Sequence, residues 1–253
     1  MTKEFEGKVA IVTGGGSGIG RATAIRLADL GTTVVVADLH ADTANETAST
    51  IRRSGGNAVA VVGDLSDPAV VDEVVTTAIR DFTAIDILIN NAGIMDDMSA
   101  PHEVSDAVWE RLIRINLTAP FQLLRAVVPH MLERGRGVIV NTASEAGLRG
   151  SAAGTAYTVS KHGVVGLTKS AAVMYRDRGV RVNAVAPGGV ATNLEVAIKP
   201  GAAGPASVGA YQSNIGRVAR KAITKPSRNC SARSTSDRPV AATASFISAM
   251  PSR

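Results

Sequence analysis

The chain has 253 residues, a formal net charge of +5 and a single cysteine, Cys230. A single cysteine excludes an intrachain disulfide, which favours an intracellular protein. No segment approaches the roughly 18 consecutive apolar residues of a membrane span, and the polar N-terminus lacks the apolar stretch of a signal peptide. We therefore expect a soluble, cytoplasmic protein without a membrane partner.

The excess of positive charge lies in residues 217–253, whereas residues 1–216 are slightly acidic. Basic tails can bind nucleic acid. This tail has no aromatic residue before Phe246 and no nucleic-acid-binding motif. We therefore expect no nucleic-acid partner.

Apolar runs rich in Val, Ile and Ala alternate with helical patterns along most of the chain. Strands are predicted at 9–12, 33–37, 58–62, 85–89, 138–140 and 181–185, and helices at 21–30, 41–54 and 68–82. Continuous apolar strands that alternate with helices are typical of a parallel sheet covered on both faces. The sequence therefore predicts an α/β fold with a doubly wound parallel sheet flanked by helices on both faces, and ligands at the carboxyl ends of the strands.

Small residues separate the first predicted strand from the first helix. Gly14, Gly18 and Gly20 would let a pyrophosphate approach the backbone, and the free N–H groups at the start of the helix would bind it. Ser17 and Ile19 would then lie close to the dinucleotide. A tight turn that needs glycine for a positive φ is the alternative interpretation.

Asp38 ends the second predicted strand. A carboxylate at this position can accept hydrogen bonds from both hydroxyls of an adenosine ribose, and it repels a 2′-phosphate. NAD(H) is therefore favoured over NADP(H). His40 is the one nearby residue that could soften this preference. The alternative is that Asp38 caps the next helix.

Tyr157 and Lys161 are four residues apart in a predicted helix and therefore face the same way. Tyrosine holds its proton until about pH 10, and a neighbouring positive charge lowers that pKa, as an acid/base catalyst requires. The spacing alone is weak, because a packed ring and a solvated lysine can share it by chance. Ser144, after the strand at 138–140, and Asn116 strengthen the catalytic interpretation.

In order and spacing, these motifs resemble the short-chain dehydrogenase/reductase family. The resemblance covers about the first six-sevenths of the chain. It rests on Thr13-Gly14-x-x-x-Gly18-x-Gly20, Asp64-Leu65, Asn90-Asn91-Ala92-Gly93, Asn116, Ser144, Tyr157-x-x-x-Lys161 and Pro187-Gly188. It implies a single-domain Rossmann-type fold and an NAD(H)-dependent enzyme that interconverts a secondary alcohol and a ketone.

The resemblance also implies further contacts to the cofactor. Asp64 would accept a hydrogen bond from the adenine amine, with Leu65 beside the ring. Asn90, Ala92 and Gly93 would line the next strand end, although Asn-Asn-Ala-Gly can also be a simple turn. The nicotinamide end would be held by Pro187, Gly188, the backbone of Val190 and the hydroxyl of Thr192.

The catalytic roles follow from the same resemblance. Tyr157 is expected to be the general acid/base, and Lys161 to lower its pKa and bind the nicotinamide ribose. Ser144 would donate a hydrogen bond to the substrate oxygen. Asn116 would interrupt its helix and hold a water against Lys161; a place on the helix surface is the alternative.

No metal site is expected. The four histidines share no ligand spacing, and one cysteine cannot form a thiolate cluster.

The C-terminal part departs from the family pattern. Residues 1–216 are expected to form the catalytic domain, with a substrate lid, or a plain loop, at about 189–216. Residues 217–253 are expected to form an atypical basic tail in which the usual final strand is absent or replaced. Because residues 220–243 contain few large apolar groups, we expect them to be irregular.

Small and apolar residues on the helices that follow Asn116 and Tyr157 indicate a homo-oligomer, a dimer or tetramer. They are Ala126, Val127, Val165, Leu167 and Ala171.

Two functional alternatives remain open at this point. One is a 3-oxoacyl-thioester reductase, which Asp38 disfavours because such enzymes usually take NADPH. The other is a cofactor-binding scaffold that has lost turnover.

Overall fold

The computed structural model describes residues 3–150, 152–190 and 192. The residues of the predicted lid beyond Thr192 and the whole tail at 217–253 lie outside this part of the chain. Within the described part, no helix is long and apolar enough to cross a membrane.

Within the described residues, six strands form one parallel sheet in the order β3-β2-β1-β4-β5-β6. Each strand is parallel to the strands beside it. The strands are β1 Val9–Thr13, β2 Thr33–Asp38, β3 Ala58–Val62, β4 Ile87–Asn90, β5 Gly137–Thr142 and β6 Val180–Val185. The order reverses between β1 and β4, so the crevice at their carboxyl ends is the expected ligand site of a doubly wound sheet.

The same part of the chain contains six α-helices. They are α1 Gly18–Asp29, α2 Ala41–Arg53, α3 Pro68–Phe82, α4 Asp106–Ile113, α5 Ala119–Glu133 and α6 Thr155–Tyr175. A π-helical turn at Arg114–Thr118 joins α4 to α5, and a 3₁₀ turn at Glu145–Gly147 follows β5. The predicted fold class is thereby confirmed.

The sheet has a separate apolar core on each face. Buried side chains of α1 and α2 cover one face, and those of α3 and α5, with Ala171 of α6, cover the other. In α2, Ala44, Thr47, Ala48 and Ile51 are buried, which is the spacing of one helical face. The all-buried sequence of β1 is the continuous apolar strand that a two-sided sheet requires.

The structure corrects two of the five residues predicted for an oligomer interface, whereas Ala126, Val165 and Leu167 are partly exposed. Val127 and Ala171 are 0% and 5% exposed because they pack against the sheet. Ala126 and Leu167 also pack against that core. The large apolar residues that α5 and α6 expose most are Phe121, Val159, Val173 and Met174.

Candidate active site

The carboxyl ends of the strands border a cleft of about 1010 Å³. The predicted residues that line it are Gly14, Ser17, Gly18, Ile19, Asp38, Asp64, Leu65, Ala92, Gly93, Ser144, Tyr157, Lys161, Pro187, Gly188, Val190 and Thr192. Gly20, Asn90 and Asn116 do not line the cleft. The fold therefore brings residues from distant parts of the sequence to one place.

The turn between β1 and α1 is packed against the end of β4. Gly14 has φ +62°, and a Cβ there would lie 2.9 Å from the Cα of Ala92. A Cβ at Gly20 would overlap the carbonyl oxygen of Gly14, so Gly20 lets the helix begin directly above the turn. For this reason α1 starts at Gly18, three residues before the predicted start.

Asn91 and Thr13 hold this turn in place. The Asn91 side-chain amide donates to the carbonyls of Thr13 and Gly14, at 3.0 and 3.3 Å. The Thr13 hydroxyl accepts from the N–H groups of Asn91 and Ala92, at 2.9 and 3.0 Å. Neither residue was among the predicted site residues, although both belong to the recognised motifs. They join β1 to β4 at the point where the strand order reverses.

The Asp38 carboxylate is held at the edge of the cleft by backbone donors. Its Oδ2 accepts from Gly16 N at 2.9 Å, and its Oδ1 accepts from His40 N at 3.0 Å. Gly16 leaves the necessary space, since a Cβ there would lie 3.0 Å from the carboxylate. The alternative role as a helix cap is wrong, because α2 begins at Ala41 with His40 at the cap position.

The end of β3 supplies the next part of the wall. Leu65 is buried, and the exposed Asp64 accepts from Ser66 N at 2.8 Å. Both residues line the cleft beside Asp38.

The Asn90 side chain is turned into the sheet. Its amide donates to Asn141 Oδ1 at 2.9 Å, and Asn141 in turn donates to Thr168 Oγ1 at the same distance. These two buried hydrogen bonds join β4 and β5 to α6. The side chain therefore does not line the cleft, and only the backbone of Asn90 lies at the strand end.

Asn116 lies in the π-helical turn between α4 and α5 and is 1% exposed. Its Oδ1 accepts from Ile94 N at 2.8 Å, and its Nδ2 donates to Ile94 O at 2.9 Å and to Ser160 Oγ at 3.2 Å. The predicted interruption of the helix is present, and the alternative of a surface position is wrong. A Cβ at Gly93 would lie 3.2 Å from Asn116 Oδ1 and 3.5 Å from Lys161 Nζ, so both polar atoms border one gap.

Tyr157 and Lys161 lie one turn apart on α6 and are 7% and 3% exposed. The ammonium group is 5.5 Å from the centre of the tyrosine ring and donates to Thr142 O at 2.8 Å. Burial lowers the pKa of Lys161 to about 8, because desolvation disfavours the charged form. This lysine is therefore not the solvated surface residue that chance spacing would give.

Ser144 follows β5 and faces the same cleft. Its hydroxyl oxygen accepts from Ala146 N at 3.1 Å, so the hydroxyl keeps its proton for another partner. The 3₁₀ turn is pressed against α6, since a Cβ at Gly147 would lie 2.6 Å from Lys161 O. This contact fixes Ser144 relative to the helix that carries Tyr157 and Lys161.

The segment after β6 returns to the turn between β1 and α1 that contains Gly14 and Gly18, which we call the glycine turn. Pro187 O accepts from Glu145 N at 3.0 Å. A Cβ at Gly18 would lie 3.0 Å from the Thr192 side chain, so Thr192 lies directly over the start of α1. Val190 is 41% exposed at the rim.

Sequence reasoning did not find the other half of the cleft. Its lining includes Ile94, Met95, Val108, Leu112, Ile115 and Ala152, together with Asp96, Asp97, Arg111 and Glu145. These residues come from the loop after β4, from α4 and its π-helical turn, from the 3₁₀ turn after β5 and from the segment before α6. The adjacent acidic pair Asp96-Asp97, just after the Asn-Asn-Ala-Gly motif, was the visible sequence signal.

Comparison with known proteins identifies the family. The sequence matches the family model of the short chain dehydrogenases over residues 8–202. It is 42% identical over 194 residues to a cyclohexanol dehydrogenase of Acinetobacter sp. (strain SE19), an alignment that covers 77% of each chain. It is 41% identical over 194 residues to 3β-hydroxysteroid dehydrogenase 2 of Eggerthella lenta, with 76% of this chain and 75% of that protein covered.

Solved structures give the same result. The crystal structure of levodione reductase superimposes with a TM-score of 0.73 at 38% identity, covering 76% of this chain and 75% of that chain. NAD⁺-bound xylitol dehydrogenase superimposes with a TM-score of 0.71 at 37% identity, covering 74% and 72%.

The fold and the cleft thus define a nicotinamide-dependent oxidoreductase. The chain belongs to the short-chain dehydrogenase family and is an enzyme that acts on CH–OH groups.

Proposed function

We propose that the enzyme uses NAD(H) to interconvert a secondary alcohol and a ketone, with Tyr157 as the general acid/base. The observation that carries this proposal is the burial of Tyr157 and Lys161 on one face of α6, in the cleft that also contains Ser144 and the glycine turn. A bound nicotinamide supplies or accepts the hydride. The cleft fits such a cofactor, because Gly14 and Gly18 present bare backbone beside the start of α1.

In the direction of alcohol oxidation, Tyr157 accepts the hydroxyl proton of the substrate, and in reduction it returns the proton to the carbonyl oxygen. The Lys161 ammonium, 5.5 Å from the ring centre, favours the phenolate in the first case. Ser144 donates a hydrogen bond to the substrate oxygen and so orients it toward Tyr157. A water in the gap bordered by Asn116 Oδ1 and Lys161 Nζ would carry the proton onward.

We expect the substrate in the half of the cleft formed by the loop after β4 and by α4, where the apolar side chains favour an apolar alcohol or ketone. The wall of this half contains Ile94, Met95, Val108 and Leu112 beside Tyr157. Two of the similar proteins are named for cyclic or polycyclic alcohols, cyclohexanol and 3β-hydroxysteroids. The 3-oxoacyl-thioester reductase alternative receives no specific support from these relatives.

A substrate panel tests the proposed activity. Cyclohexanol, a 3β-hydroxysteroid and xylitol are offered with NAD⁺ and NADP⁺, and the matching ketones and a 3-oxoacyl thioester with NADH and NADPH. We expect the highest kcat/KM for a cyclic alcohol or ketone with NAD(H). Preference for the thioester, or for xylitol, would contradict the proposed substrate class.

Replacing Asp38 by alanine is expected to narrow the preference for NAD⁺ over NADP⁺ by about tenfold or more, because it removes one charge that faces the 2′-phosphate. The ratio of kcat/KM values for the two cofactors measures the effect. Asp64→Ala is a matched control, since this carboxylate also lines the cleft but is expected near adenine. Equal use of both cofactors by the unmodified enzyme would contradict the assignment of NAD(H).

We expect a dimer or a tetramer in solution, because α5 and α6 expose apolar side chains. Val173 and Met174 are 65% and 66% exposed, and Phe121 and Val159 more than 40%. The double variant Val173→Glu/Met174→Glu should shift the molar mass measured by light scattering toward that of one chain. An unmodified protein that is monomeric at micromolar concentration would contradict this expectation.

A further inference from the structure

The loop after β4 contains a buried carboxylate that the catalytic scheme above does not use. Asp96 is 3% exposed. It lies two residues beyond Ile94, whose backbone N–H and C=O are both hydrogen-bonded to the Asn116 side chain. Among the described residues, Asp96 makes no salt bridge. Instead its Oδ1 accepts from Met98 N at 3.2 Å and from Gly154 N at 3.1 Å, and its Oδ2 accepts from Tyr157 N at 2.9 Å.

Two of these donors belong to the beginning of α6. The helix starts at Thr155 with Gly154 at the cap position, and glycine has no side chain that could accept from the first turn. The first N–H groups of a helix have no partner within the helix. Asp96 therefore supplies from another part of the chain the acceptor that Gly154 lacks, and its negative charge lies at the favourable end of the helix dipole.

The neighbouring loop residues extend this contact. Ser99 O accepts from Thr155 N at 3.0 Å and from the Thr155 hydroxyl at 3.1 Å. Tyr157 is the third residue of α6, so it lies in the turn that the loop holds. A second link runs through Ser160, whose hydroxyl donates to Tyr157 O at 2.7 Å and accepts from Asn116.

Gly154 has a steric reason to be glycine. A Cβ at this position would overlap the Asp96 carboxylate. The backbone there has φ −69° and ψ 177°, which any residue can adopt. The missing side chain therefore makes room for the carboxylate rather than providing an unusual backbone conformation.

We propose that Asp96 is a positioning residue that fixes Tyr157 in the cleft by capping α6 from the loop after β4. This inference rests on the acid/base role proposed for Tyr157. Without the carboxylate the first turn of α6 loses its acceptors and frays, which displaces the phenol from the substrate oxygen. Such a displacement of about 1 Å can lower turnover by about a hundredfold.

The isosteric variant Asp96→Asn tests the proposal. It keeps the shape but replaces one acceptor oxygen with an NH₂ group that faces a backbone N–H. We expect kcat on the best substrate of the panel to fall by about tenfold or more, while the Kd of NADH, measured by fluorescence, changes by less than about threefold. Asp67→Asn is the matched control, because Asp67 caps α3 in the same way, by accepting from Ala69 N at 2.9 Å. That variant should lower Tm but leave kcat within about twofold.

A double-mutant cycle tests the contact itself. Gly154→Ala should lower kcat by pushing the carboxylate aside, whereas in an Asp96→Ala background it should have little further effect, because the clash is gone. Additive losses would overturn the proposal, as would an Asp96→Asn enzyme with unchanged kcat, or one in which kcat and NADH affinity fall together. If instead Tyr157→Phe remained active, the role of Tyr157 itself would be wrong.

Discussion

Replacing Tyr157 by phenylalanine is expected to lower kcat by about 10³-fold or more, since general acid/base catalysis contributes about 10²–10⁴-fold. The ring remains, so the packing of this buried side chain against the loop after β4 is preserved. The change removes only the group that exchanges a proton with the substrate. The Kd of NADH should therefore stay within about threefold of the unmodified value.

Steady-state kinetics and fluorescence titration of NADH measure the two quantities separately. Tyr175→Phe is a matched control, because it removes a phenol from the last residue of the same helix, where the side chain packs against the sheet core. It should leave kcat within about twofold. A Tyr157→Phe enzyme that keeps more than about a tenth of the kcat would show that another group transfers the proton.

The fold could be predicted because its strands are unambiguous. A continuous apolar sequence such as that of β1 is compatible with a strand buried on both faces, and alternation with helices then implies a parallel sheet. Chain connectivity places the strand ends on one edge, so residues after β1, β2, β4 and β5 had to meet there. Most of the predicted site residues line the cleft for this reason.

The contacts that position the site could not be predicted in the same way. Asp96 and Gly154 are 58 residues apart, and no periodic pattern connects a loop carboxylate to the cap of a distant helix. Asn90 could equally have faced the cleft, and only its bond to Asn141 in the neighbouring strand shows that it does not. Side-chain direction at a strand end depends on the partners that the assembled sheet provides.

Helix faces present a related difficulty. A helix that covers a sheet and also meets another chain has two apolar faces, and the sequence does not say which is which. Val127 and Ala171 belong to the face against the sheet, whereas Val173 and Met174 belong to the exposed face. The expectation of an oligomer does not depend on that choice, but its mutational test does.

Replacing Lys161 by methionine is expected to affect activity and stability in opposite directions. The variant keeps a long side chain but loses the charge 5.5 Å from the Tyr157 ring. We expect kcat/KM to fall by about 10²-fold or more, because both the phenolate and a bound nicotinamide ribose lose a cationic partner. At pH 7 the free energy of unfolding should nevertheless rise by about 2 kcal/mol.

The sign of the stability change follows from the pKa of Lys161, which burial lowers from 10.5 to about 8. Between these pH values the unfolded chain binds more protons than the folded protein, so folding becomes more favourable as the pH rises. Below about pH 8 the full cost of the buried charge is present, and Lys161→Met removes it. The gain is less than the pKa shift alone implies, since Thr142 O loses its donor.

Denaturant unfolding of both proteins without cofactor, at intervals from pH 7 to pH 10, measures this difference. The advantage of Lys161→Met should shrink as the pH rises above about 8, because the unmodified protein then releases the lysine proton. Lys169→Met is the control, an exposed lysine on the same helix, and should change neither activity nor the pH dependence. A Lys161→Met protein less stable than the unmodified one at pH 7 would show that the ammonium strengthens the fold. The opposite result would mean that the fold tolerates an unfavourable buried charge at the position where the proposed chemistry needs one.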